Sequence, residues 1–149
     1  MIDVMDHGHL ENIQIHFDDL DPMGIVHNSK YALLLERSLT NYWVARGWAA
    51  DAASSAFPDV FMAVREFAIT YEAPIIGLVR VNLRFWIERL GNSSAVYAFR
   101  IESADGSTLH AEGRRAVVNL DPSTFRPTRI SDELRAAAAP LMAPALAAA

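Results

Sequence analysis

The chain has 149 residues, with 13 basic and 18 acidic side chains and a formal net charge of -5. This length suits one domain with a hydrophobic core, and a hydrophobic share of 52% argues against a disordered chain. The excess of acidic side chains disfavours nucleic-acid binding. The absence of cysteine excludes disulfides and thiol catalysis. The sequence has no long apolar window and no signal peptide, which predicts a cytoplasmic protein without membrane contact.

The first half of the chain predicts one strand and one long helix. Residues 12–17 alternate between apolar and polar side chains, which is the period of a strand. After an acidic turn, residues 29–46 repeat apolar side chains at helical spacing. Asn28 is a suitable N-cap for this helix and Gly47 a suitable stop, and we expect a loop over residues 49–58.

The second half predicts four strands, at residues 61–71, 79–90, 95–103 and 109–120. Gly91-Asn92-Ser93 and Asp105-Gly106 mark the turns between them. A strand, a long helix and a meander of four strands predict a single α+β domain over residues 1–149, with an antiparallel sheet packed on the helix. We expect a short helix after Ser131, and flexible tails over residues 1–9 and 136–149.

Two carboxylates are the first candidates for chemistry. Asp21 precedes Pro22 and Gly24, so a rigid turn can hold its carboxylate close to the start of the helix, where free amides stabilise an oxyanion. The alternative is an acidic surface turn. Glu36 has apolar neighbours on the predicted helix, so it is either a proton acceptor in a pocket or interface, or a rim residue paired with an arginine.

Other residues carry weaker signals. His7 and His9 have a spacing that can bind a metal, but no third ligand is near in the sequence, so we expect no metal site. His27 follows the Asp21 turn, where it either takes part in the chemistry or simply lines the turn. The arginines that alternate along the strands form either solvated sheet faces or a basic rim for the phosphates of a carrier.

The segment from Phe17 to Val26, followed by Tyr31 and Glu36, resembles the hotdog-fold thioesterases of the 4-hydroxybenzoyl-CoA thioesterase family. Further similar stretches are Tyr71-Glu72-Ala73-Pro74, residues 89–94 and Ala111-Glu112-Gly113, and the likeness covers residues 13–134. The resemblance implies a hotdog domain, in which a five-stranded antiparallel sheet wraps a long central helix. It also implies hydrolysis of an acyl thioester of coenzyme A or acyl carrier protein to a free acid and a thiol, with no cofactor besides the coenzyme A of the substrate.

The resemblance also assigns roles to residues. Asp21 matches the family's catalytic aspartate, which acts as nucleophile or general base. The amides around His27 and Asn28 match the helix start that polarises the thioester carbonyl, and Glu36 matches a helix acid that other hotdog branches use as the base. The expected substrate contacts come from the turn, the helix and the hairpin: Gly24, Ile25, Val26, Tyr31, Leu35, Arg89, Asn92 and Ser93.

Hotdog proteins act as dimers or tetramers with sites between subunits, so the resemblance implies a homo-oligomer. The apolar strand over residues 61–69 and an exposed Trp43 would suit such an interface. Two other functions stay open. One is a hotdog enoyl-thioester hydratase, although Asp21 and His27 do not have the spacing of its motif. The other is a non-catalytic module that binds acyl thioesters.

Overall fold

The computed structural model describes residues 7–144. This part of the chain contains five strands, two α-helices and three 3-10 turns. The strands are β1 (His9–Gln14), β2 (Met62–Tyr71), β3 (Arg80–Leu90), β4 (Ser94–Ser103) and β5 (Leu109–Asn119); the helices are α1 (Tyr31–Val44) and α2 (Asp132–Ala138); the 3-10 turns are Phe17–Asp19, Asn28–Lys30 and Ala139–Leu141.

The strands form one antiparallel sheet in the order β1-β3-β4-β5-β2, which leaves β1 and β2 at the edges. Alternate side chains of β3 and β4 point to the same side, and Phe85 and Phe99 are fully buried there. The buried face of α1, which includes Leu35 and Leu39, joins the same core. The arrangement confirms the expected α+β hotdog domain.

Trp43 lies inside this core, so the expectation of an exposed tryptophan at an interface is wrong. Its side chain is 8% exposed. Its indole Nε1 donates a hydrogen bond to the Tyr97 hydroxyl over 3.0 Å, and its ring packs edge-on against Phe57 at 5.8 Å. The helix periodicity placed Trp43 correctly on α1 but did not show which side of the helix the sheet covers.

Both predicted tails are partly structured. His9 pairs with Phe85 as the first residue of β1, because the backbone can extend the sheet edge beyond the alternating residues. Residues 136–142 are not a free tail either: Leu141 is fully buried and Met142 forms a bridge with Ile87. α2 ends at Ala138, and the 3-10 turn that follows, which contains Pro140, returns apolar side chains to the core. Residues 1–6 and 145–149 lie outside the described residues.

A buried polar cluster fixes the C-terminal helix to the sheet. Asp59 is 2% exposed, and its Oδ2 accepts hydrogen bonds from Asn119 Nδ2 at 3.0 Å and from the Ser131 amide at 2.9 Å. Ser131 caps α2, as the sequence predicted. Arg135 then donates to the carbonyls of Gly91 and Asn92, each at 2.8 Å. The β3–β4 hairpin is therefore held against α2.

The strand register separates two ends of the sheet. The β3–β4 hairpin, the start of β2 and α2 share one end, because Ser94 pairs with Val118 and Met62 with Asn119. Tyr71, the last residue of β2, pairs with Ala111 at the other end. The 10 residues of β2 span roughly 30 Å. No helix among residues 7–144 is long and apolar enough to cross a membrane.

Candidate active site

The Asp21 turn is closed by backbone hydrogen bonds on both sides. The Asp21 amide donates to the Ile25 carbonyl at 2.8 Å, and the Gly24 amide donates to the Asp21 carbonyl at 2.9 Å. Gly24 has a φ of 77°, a conformation that favours glycine. The Val26 amide bonds to Ile75 at 3.0 Å, which ties the turn to the segment after β2. The predicted rigid bend is confirmed.

The carboxylate of Asp21 has one oxygen engaged and one oxygen free. Oδ1 accepts hydrogen bonds from the amides of Met23 at 2.8 Å and Ile25 at 3.3 Å. These bonds orient the side chain within its own turn. Oδ2 has no hydrogen-bond partner among the described residues, and Asp21 is partly exposed on the wall of a cleft. The free oxygen is thus available to a molecule in that cleft.

The helix start differs from the prediction at its cap. Asn28 is the first residue of a 3-10 turn over Asn28–Lys30, and α1 begins only at Tyr31. The N-cap of the turn is His27, whose ring Nδ1 accepts the Ser29 amide at 3.0 Å. Asn28 as N-cap is therefore wrong by one residue, because the extra turn before α1 moves the cap back to His27.

Of the two backbone amides expected to polarise a carbonyl, one is already hydrogen-bonded within the protein and the other is not. The His27 amide donates to the Asp19 carbonyl at 2.8 Å and is not free. Within residues 7–144, the Asn28 amide has no acceptor. Asp19 is 1% exposed, so its carbonyl and the His27 amide are fixed inside the fold. Only the amide of Asn28 remains open to a ligand.

The cleft beside Asp21 has a volume of about 400 Å³. Its lining includes Met23, Ile25, Val26, His27, Asn28, Tyr31, Tyr71, Glu72, Ala73 and Pro74. The predicted Tyr31 packs edge-on against Tyr71 at 5.0 Å, and burial raises the pKa of Tyr31. The Tyr71 hydroxyl donates to the Asn28 carbonyl at 3.0 Å, so the end of β2 supports the helix start.

Sequence reasoning did not place Tyr71, Glu72 or His110 at the site. Glu72 is exposed and brings a second carboxylate to the cleft wall. His110, buried on β5, holds this segment from behind: its Nδ1 lies 3.1 Å from the Ala73 carbonyl, and its own carbonyl accepts the Glu72 amide at 2.8 Å. For Tyr71 and Glu72, the only hint in the sequence was that residues 71–74 are similar to the corresponding stretch of the family. Nothing in the sequence pointed to His110.

Glu36 lies in a different cavity from Asp21. It forms an ion pair with Arg115, with side chains that are 50% and 11% exposed, respectively. This second cavity measures about 200 Å³ between α1 and the starts of β2 and α2. Glu36 thus combines parts of both alternatives left by the sequence, because it is paired with an arginine and also lines a cavity. The catalytic role that the resemblance gives to Glu36 is untested, and its place in a cavity apart from Asp21 argues against it.

Several predicted substrate contacts lie away from the Asp21 cleft. Leu35 is fully buried in the core, because the sheet covers its side of α1, so a substrate does not reach it in this structure. Arg89, Asn92 and Ser93 lie at the hairpin end of the sheet, opposite the cleft. Gly24 shapes the turn, while Ile25, Val26 and Tyr31 line the cleft as predicted. Among residues 7–144, no cluster of three acidic, histidine or cysteine residues could hold a metal.

Comparisons with known proteins agree with this geometry. The family model of the thioesterase-like superfamily matches residues 15–138. No curated protein matches the chain. The solved structure of the PA5185 protein from Pseudomonas aeruginosa is similar with a TM-score of 0.79 and 27% identity, over 93% of this chain and 94% of that one.

Two solved thioesterases share the fold at lower identity. The 1,4-dihydroxy-2-naphthoyl-CoA thioesterase Slr0204 from Synechocystis has a TM-score of 0.77 and 12% identity, over 92% of this chain and 99% of that one. The DHNA-CoA thioesterase from Staphylococcus aureus has a TM-score of 0.71 and 22% identity, over 82% of this chain and 80% of that one.

Proposed function

The chain belongs to the thioesterase-like superfamily, and on that basis we propose that it hydrolyses an acyl thioester of coenzyme A or acyl carrier protein to a free acid and a thiol. One observation carries the proposal for this chain. The carboxylate of Asp21 is oriented through Oδ1 and free at Oδ2, and it lines the same cleft as the open amide of Asn28.

The proposed reaction uses these two groups together. The Asn28 amide donates a hydrogen bond to the thioester carbonyl oxygen and stabilises the negative charge that develops there. As a general base, Asp21 takes a proton from water while the water oxygen bonds to the carbonyl carbon; the carbon–sulfur bond breaks, and the proton goes to the thiolate. As a nucleophile, Asp21 Oδ2 bonds to that carbon, the thiolate leaves, and water hydrolyses the mixed anhydride.

Isotopically labelled water detects the nucleophilic course when water attacks the aspartyl carbon of the anhydride. A nucleophilic Asp21 passes through an anhydride, and water attack on its aspartyl carbon leaves the label in the Asp21 carboxylate after several turnovers. A general base directs every labelled oxygen into the product acid. Mass spectrometry of the peptide that contains Asp21 reads the difference.

We further propose that the active form is a homodimer joined through β2. This strand is an open sheet edge, and Val64 and Phe61 on or beside it are 52% and 37% exposed. An exposed apolar edge favours pairing with another strand. Antiparallel pairing of two β2 edges about a twofold axis would bring the hairpin end of each copy beside the Asp21 cleft of the other. In that arrangement Arg89, Asn92 and Ser93 reach a coenzyme A bound at the cleft.

Thiol release from a panel of aromatic, short and long acyl thioesters tests the activity, with each acyl group supplied on coenzyme A and on acyl carrier protein. We expect turnover of at least one acyl class. Loss of a 2-enoyl substrate without thiol release would indicate a hydratase instead, and a bound thioester that persists for hours would indicate a binding module. Sedimentation at the assay concentration tests the dimer. A mass of 16.5 kDa, which is that of a single chain, would overturn it. We expect Val64→Lys to favour the monomer.

A further inference from the structure

The side chain of His27 is fixed at one of its two ring nitrogens. Nδ1 accepts a hydrogen bond from the Ser29 amide at 3.0 Å, and the Ser29 hydroxyl lies 2.8 Å from the same atom. The His27 backbone is held as well, since its amide donates to Asp19 at 2.8 Å and its carbonyl accepts the Lys30 amide at 2.9 Å. The ring therefore has a defined position at the wall of the Asp21 cleft.

These contacts determine the protonation pattern of the ring. A backbone amide can only donate, so Nδ1 must present its lone pair to Ser29. A neutral imidazole with an unprotonated Nδ1 carries its hydrogen on Nε2. Nε2 has no partner among residues 7–144, and His27 is an exposed residue of the cleft lining. The ring thus carries one free hydrogen-bond donor, at Nε2, and no free acceptor.

We propose that His27 is a catalytic hydrogen-bond donor, whose Nε2–H binds the carbonyl oxygen of the thioester beside the Asn28 amide. The assignment rests on the proposed thioester hydrolysis. It excludes His27 as the general base, because the lone pair that would accept a proton is already bound to Ser29. Asp21, with its free Oδ2, remains the group that acts on water or on the carbonyl carbon.

The donor role needs no proton transfer from the ring. Negative charge grows on the carbonyl oxygen when a nucleophile adds to the carbonyl carbon, and it returns to the carbon–oxygen bond when the thiolate leaves. Nε2 keeps its hydrogen throughout, and its hydrogen bond strengthens in the transition state. Loss of one such donor lowers kcat by about 10²–10³-fold in a well-studied hydrolase.

The first test is independent of activity. Nitrogen-15 NMR of the imidazole nitrogens, assigned by comparison with His27→Asn, reports which nitrogen of His27 carries the hydrogen. We expect Nε2 to be protonated and Nδ1 to have the shift of a hydrogen-bonded acceptor. A hydrogen on Nδ1 would overturn the proposal even if the protein proves to be a thioesterase.

The second test is a matched pair of variants. His27→Asn keeps an acceptor at the position of Nδ1 and so keeps the cap, but it has nothing at Nε2. His27→Gln can place an amide donor near the position of Nε2 but loses the cap. We expect His27→Asn to lower kcat about 100-fold or more with an unchanged Tm and a nearly unchanged KM, and His27→Gln to retain a higher kcat at a lower Tm.

Two kinetic outcomes would overturn the donor role. One is a His27→Asn variant with the kcat of the wild type, and the other is a His27→Gln variant that is slower than His27→Asn. If the wild type hydrolyses none of the thioester panel, the proposed function fails. The NMR result then still reports the state of the ring, so the two failures are distinguishable.

Discussion

The ion pair between Glu36 and Arg115 predicts that Glu36→Gln destabilises the fold but spares catalysis. Arg115 is the buried partner, with a side chain that is 11% exposed, whereas the Glu36 side chain is 50% exposed. Nε of Arg115 is also buried without an acceptor. Glutamine removes the countercharge and leaves a cation that no other described carboxylate pairs with.

The magnitude lies between two limits. Breaking a fully buried pair costs about 3–5 kcal/mol, and an exposed pair contributes about 0.2–1 kcal/mol. Because solvent reaches Glu36 but hardly reaches Arg115, we expect Glu36→Gln to lower the free energy of unfolding by about 1–2 kcal/mol. For a chain of this size, that corresponds to a Tm lower by about 3–6 °C.

Urea unfolding of Glu36→Gln, Arg115→Met and the double variant measures the coupling directly. We expect the double variant to be more stable than the sum of the two single losses predicts. Thiol release by Glu36→Gln should stay within about 3-fold of the wild type, since a general base would contribute about 10²–10⁴-fold. A coupling near zero would mean that the ion pair does not stabilise the fold, and a loss of turnover of 100-fold or more would identify Glu36 as the base.

Three further variants test other parts of the structure. Gly24→Ala should cost about 1 kcal/mol by strain at a φ of 77° and lower kcat by shifting Asp21, as calorimetry and thiol release would show; an unchanged Tm contradicts the strain. Tyr71→Phe removes the bond to the Asn28 carbonyl and should cost about 0.5–1.5 kcal/mol in urea unfolding, while no loss would mean that this bond contributes nothing. Burial raises the pKa of Tyr97 to about 12, so the free energy of unfolding should fall between pH 10 and 12, where only the unfolded chain loses the proton of this hydroxyl. Urea unfolding of Tyr97→Phe should show a smaller fall over the same pH range. An equal fall would contradict the raised pKa of Tyr97.

Much of the fold was predictable because burial alternates along β3 and along part of β4. In β3, Val81, Leu83, Phe85 and Ile87 face the core, and the predicted strand over residues 79–90 differs from Arg80–Leu90 by one residue. The helix was predicted within two residues at each end, apart from the 3-10 turn that precedes it. Periodic burial is a local signal, so one sequence is enough to read it.

Residue propensities gave wrong predictions at positions where the path of the backbone determines the structure. Asn28 is the better N-cap by residue type, yet His27 takes that place because a 3-10 turn comes before α1. The prolines of the C-terminal segment predicted a tail, but Leu141 enters the core just after Pro140. Propensity says which residue suits a position and does not say where the chain will turn.

The remaining features depend on contacts between distant parts of the chain. The pair of Glu36 and Arg115 joins α1 to β5, and His110 on β5 supports the segment after β2. The hairpin residues predicted to contact the substrate lie at the opposite end of the sheet from Asp21, because the strand register sets their place. A motif supplies candidate residues, but only the register shows which of them share a cleft.

The most direct test of the central claim is kcat for thioester hydrolysis by Asp21→Asn, compared with Asp18→Asn as a matched loss of one charge on the exposed turn nearby. Asparagine at position 21 keeps an oxygen that accepts the amides of Met23 and Ile25, so the turn should persist and the Tm should not change. We expect a kcat at least about 100-fold lower for Asp21→Asn and a wild-type kcat for Asp18→Asn. Full turnover by Asp21→Asn would contradict this expectation.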